Sequence, residues 1–410
     1  MNVFSFDYFL KSSRRWLALL AAVSGFSAHS QNWGPADVGN NKWISLTGSL
    51  HGSNLLAVAF GDTDGNPTVV YASTNGGNHW NPTPSPATYW VSVATSADGQ
   101  RVVAAANADT SYNPGPIYLS TNGGFTWTES SALSKSWWVV ASSADGRVLA
   151  GAIYGADIGD GIYVSTNFGT DWIQSDAPIE NWLGLAMAAD GSKVYATYNG
   201  GIYISTNSGF NWNLATSAPS LYWTPVICSP DGSAVFAGVF DGGLYASTDS
   251  GTTWSLLTNA PTAGWQSLAL STYGDILLAG AIGGELCLST NGGATWPLQY
   301  DSPHNAPLDN WDCVFCSADG TRLVAGGYGD NIYTAVNPLL APKLKLKSIP
   351  QHAVLSWPLF PAGFQLQTTS TIFPAPTWTN VLGSAVKSGT NYIFTNSLAG
   401  SGAFFRLAKP

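Results

Sequence analysis

Carboxylates are the groups through which this chain would do chemistry. Residues 31–340 hold twenty-three Asp and Glu against three Lys and three Arg, a balance of −17. A pair of carboxyls is the machinery that hydrolyses a neutral glycosidic bond; the spacing singles out no one pair among these acids, and Asp157 and Asp160 are the candidates for such a role. Trp138, Tyr89 and Tyr222, with Asp62, Asp64 and Asp109, are the candidate ligand-binding residues. Aromatic rings offer a large apolar face, and acids accept hydrogen bonds. The same acids also read as a solvated rim without chemistry. Asp62 and Asp64 stand in Gly-Asp-Thr-Asp-Gly, but a full calcium loop is absent. His51, His79, His304 and His352 lack metal-ligand spacing. Cys313 and Cys316 lie in one strand, where an i, i+3 pair points to opposite faces. Core packing suits these two, Cys228 and Cys287, with one disulfide as the alternative. No metal and no cofactor is expected.

Whether these residues meet depends on the repeats that carry them. Fourteen tryptophans form two sets of seven. Trp43, Trp90, Trp137, Trp182, Trp223, Trp265 and Trp311 recur every 41–47 residues, and Trp33, Trp80, Trp127, Trp172, Trp212, Trp254 and Trp296 precede them by 10–15. A period of that length carrying short β-like runs indicates a radial repeat. Four strand-like segments in each of seven copies predict a seven-bladed β-propeller. Strand A starts at the first-set tryptophan and ends in an Asp-Gly hairpin turn, as in Trp90–Gly99. Strands B and C follow, then the box Ser-Thr-Asn-x-Gly-x-x-Trp, whose tryptophan opens strand D. Blade seven has Pro342 where its strand D tryptophan should stand, while Trp33 sits ten residues before Trp43. Gln31–Val38 is therefore expected to complete the last blade and leave no open edge. The ring tryptophans pack between blades or, alternatively, form a sugar-stacking platform.

The boxes at Ser73–Trp80, Ser120–Trp127, Ser165–Trp172, Ser205–Trp212, Ser247–Trp254 and Ser289–Trp296 resemble the Asp-box, or BNR repeat, of sialidase-type propellers. The Asp of that pattern is Asn at Asn75, Asn122, Asn167, Asn207 and Asn291 and stays Asp at Asp249. Asn still closes a turn but brings no charge, so the boxes look structural. The resemblance to sialidases implies a tyrosine nucleophile, a Glu and a clamp of three Arg. Arg101, Arg147 and Arg322 each follow an Asp-Gly turn in a different blade and cannot converge on one carboxylate. A −17 domain also repels an anionic sugar, so sialidase activity is not expected. Xyloglucanase-type glycosidases share the Asp-box propeller, but resemble two propellers facing across a cleft, whereas this chain has one.

Strand direction puts the A–B turns and boxes on one face and the B–C and D–A loops on the other, where ligands usually enter a propeller. That second face carries Asp62, Asp64, Asp109, Asp157, Asp160, Asp241 and Asp330 in B–C loops, and Glu129, Asp176, Glu180, Asp301 and Asp309 in D–A connections. Blades one to three have long B–C loops, and Pro297–Asn310 is the longest D–A loop. Long loops gathered on one face are more often functional than neutral.

Residues 1–30 read as a cleaved signal peptide: Lys11, Arg14 and Arg15 precede the apolar run Trp16–Val23, and Ala28-His29-Ser30 supplies small residues for cleavage. The run is too short to span a bilayer, and an uncleaved membrane anchor is the alternative. A secreted or cell-surface protein, bacterial and extracytoplasmic, is expected. Residues 341–410 carry five Lys, one Arg and no acid, so the charge changes sign where the repeats end. Alternating runs there predict a small β-sandwich. It resembles the short C-terminal modules of secreted bacterial proteins that end in Phe-Phe-Arg-Leu, here Phe404–Leu407, and cell-envelope contact is one role for it. The acidic propeller excludes nucleic acid as a partner. The residues favour a non-catalytic recognition propeller that binds a neutral glycan or a protein. A neutral-glycan hydrolase using rim carboxylates is the alternative.

Overall fold

Valine- and alanine-rich second strands, such as Val102–Asn107 and Leu149–Ile153, are buried along their whole length. Strands so apolar need cover on both faces, which neighbouring sheets supply. In the computed structural model the described residues are 8–9, 33–155, 161–296, 298–300, 310–337, 345–349, 352–358, 365–369, 379–381, 385–388, 391–397 and 404–408. All their regular structure is β. Residues 28–337 form one compact unit, a seven-bladed β-propeller, and residues 1–27 with 338–410 form another.

Each blade is an antiparallel A-B-C-D sheet; blade two, for example, runs Tyr89–Thr95, Val102–Asn107, Ile117–Ser120 and Thr128–Glu129. Blade seven takes its fourth strand from the other end of the propeller. Gly34 and Pro35 pair with Thr334 and Tyr333, and the Ala36 amide donates to the Ile332 carbonyl at 2.7 Å. The ring is closed by the N-terminal strand.

Tryptophans of the first set are at most 2 % exposed, and each packs into a core shared by two blades. Trp137 of blade three, for instance, lies against Val103, Ala105 and Ile117 of blade two. Register slips just past these tryptophans, as between Trp90 and Ser92, Trp137 and Val139, and Trp182 and Gly184. Such a bulge re-aims one residue per blade, here Val91, Trp138 and Leu183.

The box turns repeat one hydrogen-bond pattern. Ser73 Oγ donates to Asn75 Oδ1 at 3.0 Å and accepts the Gly77 amide at 2.9 Å, while Trp80 Nε1 donates to the Gly77 carbonyl at 2.9 Å. Asp249 takes the same place in its box, its Oδ1 accepting Ser247 Oγ at 2.8 Å.

The A–B turns are linked around the ring by backbone bonds of 2.7–2.9 Å: Leu50 to Ala97, Ala97 to Ala144, Ala144 to Ala189, Ala189 to Pro230, Thr272 to Ala318, and Ala318 back to Leu50. Each amide donates to the carbonyl of the next blade. Pro230 has no N–H, so the circuit is broken between blades five and six.

The C-terminal unit is a small β-sandwich. One sheet orders His352–Pro358 between Lys345–Ile349 and Asn391–Ser397, with Val386–Ser388 at its edge. The other pairs Phe404–Ala408 with Gln365–Thr369. Leu355, Trp357, Leu366 and Phe405 fill the space between them. Within the stretch read as a leader, Tyr8–Phe9 pairs with Phe404 and Phe405; the rest of residues 1–30 lies outside the described residues.

Candidate functional site

Structural bonds occupy the A–B face. Arg101 of blade two stacks over Phe168 of the blade-three box at 3.8 Å. Arg322 of blade seven donates from Nη1 to the Gly76 carbonyl of the blade-one box at 2.7 Å, and Arg147 Nε reaches the Thr166 carbonyl at 3.1 Å. The three arginines stay in separate blades as ties between turns. A shallow hollow lined by Gln100, Gly123 and Phe125 is also on this side, away from the aromatic residues described next.

On the opposite face five rings from three blades form a continuous cluster. Phe60, at the end of strand B in blade one, is buried, and two rings from blade two cover it. Tyr89 is tilted against it at 5.7 Å, and Tyr112 stacks on it at 4.9 Å with 14° between planes. Tyr112 continues to Trp138 at 5.9 Å, and Trp138 to Tyr154 at 4.9 Å, both in blade three. Tyr112 and Tyr154 remain 41 % and 38 % exposed, so the cluster is open to a ligand.

Loop chemistry holds Tyr112 there. Asp109 Oδ1 accepts the Ser111 amide at 2.8 Å and Oδ2 accepts Asn113 Nδ2 at 2.7 Å, which folds the B–C loop back on itself. Tyr112 then adopts φ +59°, a conformation sparsely used by bulky side chains. Burial, and next the hydroxyls of Tyr328 and Tyr154, raise its phenol above the ordinary value. Tyr328 of blade seven is itself exposed. Its strand, Tyr328–Asp330, pairs with Asn41 and Lys42 of blade one, and Lys42 Nζ lies 5.6 Å from the Tyr328 ring centroid.

Of the residues singled out from sequence, Tyr89 and Trp138 share this cluster, and Asp109 shapes it. Asp62 closes the neighbouring loop, accepting the Asn66 amide at 2.8 Å and Asn66 Nδ2 at 2.9 Å. Asp64 is exposed on that loop, and Gly65 accepts from Tyr89 Oη at 3.2 Å. Hydrogen bonds from the Asn66 and Asn113 side chains lower the Asp62 and Asp109 carboxyls below the usual value, so both stay ionised. Tyr222 stands apart in blade five, against Phe240 at 5.4 Å. Asp157, Asp160, Asp301 and Asp309 lie outside the described residues. All four cysteines are free thiols with ionisation suppressed by burial. No metal-sized group of His, Cys, Asp and Glu occurs among the described residues.

Phe60, Tyr112, Tyr154 and Asp312 were not visible as site residues in the sequence. Asp312 follows ring residue Trp311, where the other blades have Ile44, Val91, Trp138, Leu183, Thr224 and Gln266. A charge at that one register position was the available signal. Its Oδ2 is sealed from solvent and meets no hydrogen-bond donor. Burial pushes its carboxyl up to about 7, with the Tyr328 amide acting the other way. The folded protein therefore keeps this proton to about pH 7, whereas an unfolded chain releases it near 3.8. Rising pH favours the unfolded chain across that window, by on the order of 4 kcal/mol. Asp312→Asn is expected to match the parent near pH 4 and exceed it in stability near pH 8. Urea unfolding of both proteins across that range tests this, and parallel curves would mean that Asp312 ionises normally.

Fold and site together define a seven-bladed propeller with an aromatic mouth. Among solved structures the chain is similar to YCF48 bound to D1 peptide, at 15% identity and TM-score 0.57, covering 76% of this chain and 98% of that one. It is also similar to the GH74 xyloglucanase from Xanthomonas campestris, at 15% identity and TM-score 0.59 over 80% of this chain. A GH74 enzyme of Niastella koreensis matches at 14% and 0.59 over 81%. The chain spans 59% and 60% of those two enzymes. Likeness at this level establishes the fold. No protein-family model and no curated protein matches the chain.

Proposed function

We propose that this chain is a secreted, non-catalytic recognition propeller that binds a neutral glycan or a protein on its B–C/D–A face. The carrying observation is the five-ring cluster from Phe60 to Tyr154, partly exposed and built from loops of three blades. Packing alone does not call for a tyrosine held at φ +59° with an open ring face. The boxes, Asp-box-like in pattern, serve as hairpin turns, and the basic C-terminal module makes cell-envelope contact.

The alternative reading is a neutral-glycan hydrolase that uses paired rim carboxylates, with Asp157 and Asp160 as its candidates. One experiment separates the two. Purified protein is incubated with a panel of neutral polysaccharides and of candidate proteins, and both retention and new reducing ends are measured. Retention without cleavage, weakened about tenfold or more in Trp138→Ala, is the expected result, since loss of one stacked ring removes roughly 1–2 kcal/mol. Reducing ends that disappear in Asp157→Asn or Asp160→Asn would establish an enzyme. Retention unchanged in Trp138→Ala would remove the aromatic mouth from the reading.

A further inference from the structure

Charge at the aromatic mouth narrows the choice of ligand. The two loops that build it carry carboxylates, Asp62 and Asp64 beside Phe60, and Asp109 beside Tyr112, and hydrogen bonds lower the Asp62 and Asp109 carboxyls below the usual value. None of the three meets a basic side chain within ion-pair distance among the described residues. Asp330 lies two residues from Tyr328 and accepts Tyr333 Oη at 3.2 Å rather than a cation. The two lysines of this face sit on rings. Lys42 Nζ is 5.6 Å from the Tyr328 centroid, and Lys135 Nζ is 6.0 Å from that of Tyr163. Both are within the reach of a cation–π contact. Among the described residues, four carboxylates against two lysines leave the mouth negative, within a domain of net charge −17.

Ring faces backed by uncompensated acids attract a cation twice over, through the ring quadrupole and through the field of the domain. A neutral sugar uses the rings but gains nothing from the acids. We infer that the mouth formed by Tyr112, Trp138 and Tyr154 binds a lysine or arginine side chain presented by a basic protein segment. This rests on the recognition reading above and selects a protein over a glycan as its ligand.

The test uses the full chain and three fluorescent probes: a short lysine–glycine peptide, the same peptide with every lysine acetylated, and a neutral glucan hexasaccharide. Anisotropy titrations are run at low and high salt on the parent, Trp138→Ala and Tyr112→Ala, each checked by thermal melting. Tyr112 is on an exposed loop, so its variant keeps the test alive where Trp138→Ala fails to fold. Expected is binding of the lysine peptide, weakened about tenfold by either substitution, by acetylation and by salt. Hexasaccharide binding lost in the variants, with no peptide binding, would overturn the cation inference and leave the recognition face standing. Peptide binding unchanged in both variants would reduce it to bulk charge attraction and overturn it. Binding of neither probe would overturn it as well.

Discussion

Replacing Trp182 with alanine is expected to destabilise the propeller by about 3–5 kcal/mol, the usual range for a large aromatic truncated in a packed core. The ring is fully buried between blades three and four, among Ala150, Ile162, Leu185 and Ala196. It meets Tyr203 edge-on at 5.6 Å, Tyr198 at 5.7 Å and Trp212 at 6.3 Å. The surrounding groups are strands held by their own ladders, so they cannot collapse into the hole. Trp182 Nε1 has no hydrogen-bond partner, whereas Trp90 Nε1 donates to the Thr68 carbonyl at 3.0 Å. Phenylalanine should therefore be better tolerated at 182 than at 90. Outer-set Trp172 is half-buried and should matter less than Trp182. Denaturant midpoints at an unchanged slope measure these differences. A loss below about 1 kcal/mol for Trp182→Ala would mean that the ring tryptophans do not hold the blades together.

Deleting residues 31–40 is expected to abolish cooperative unfolding or to cause aggregation. The segment supplies the fourth strand of blade seven, and Ala36 is buried in a core with Trp43, Trp80, Val324 and Ile332. Asp37 then reaches the blade-one box, its Oδ2 3.0 Å from His79 Nδ1. That pair is solvent-exposed and adds little. The larger loss is the strand itself, which leaves Ile332–Val336 as an unpaired edge and opens the core between blades seven and one. Scanning calorimetry with light scattering would detect both outcomes. A deletion variant that melts like the parent would show that the ring closes without its N-terminal strand.

Much of the fold was legible because each blade buries the same side chain in the same place. A need repeated seven times appears as a period, and the ten-residue offset of Trp33 from Trp43 showed how the circle closes. The box residues were legible too, since a turn within eight residues is decided by its own side chains. Half of the candidate site could be read in this way. Trp138 stood out as the one propeller tryptophan outside the two sets, and Asp109 as an acid in a long loop.

The rest required the folded chain. Phe60 and Tyr112 are fifty-two residues apart, and they stack only because Asp109 folds its loop backward and the ring places blade two beside blade one. Asp312 reads as one acid among many until the fold seals its Oδ2 from solvent and burial raises its carboxyl. The backbone circuit from Leu50 to Ala318, with its gap at Pro230, joins atoms that no local pattern relates. Sequence alone determined what recurs within one repeat, because hydrophobic period and turn chemistry act over a few residues. Only the tertiary structure decided which loops meet and which charges lie uncovered, because those depend on neighbours brought together by closure of the ring.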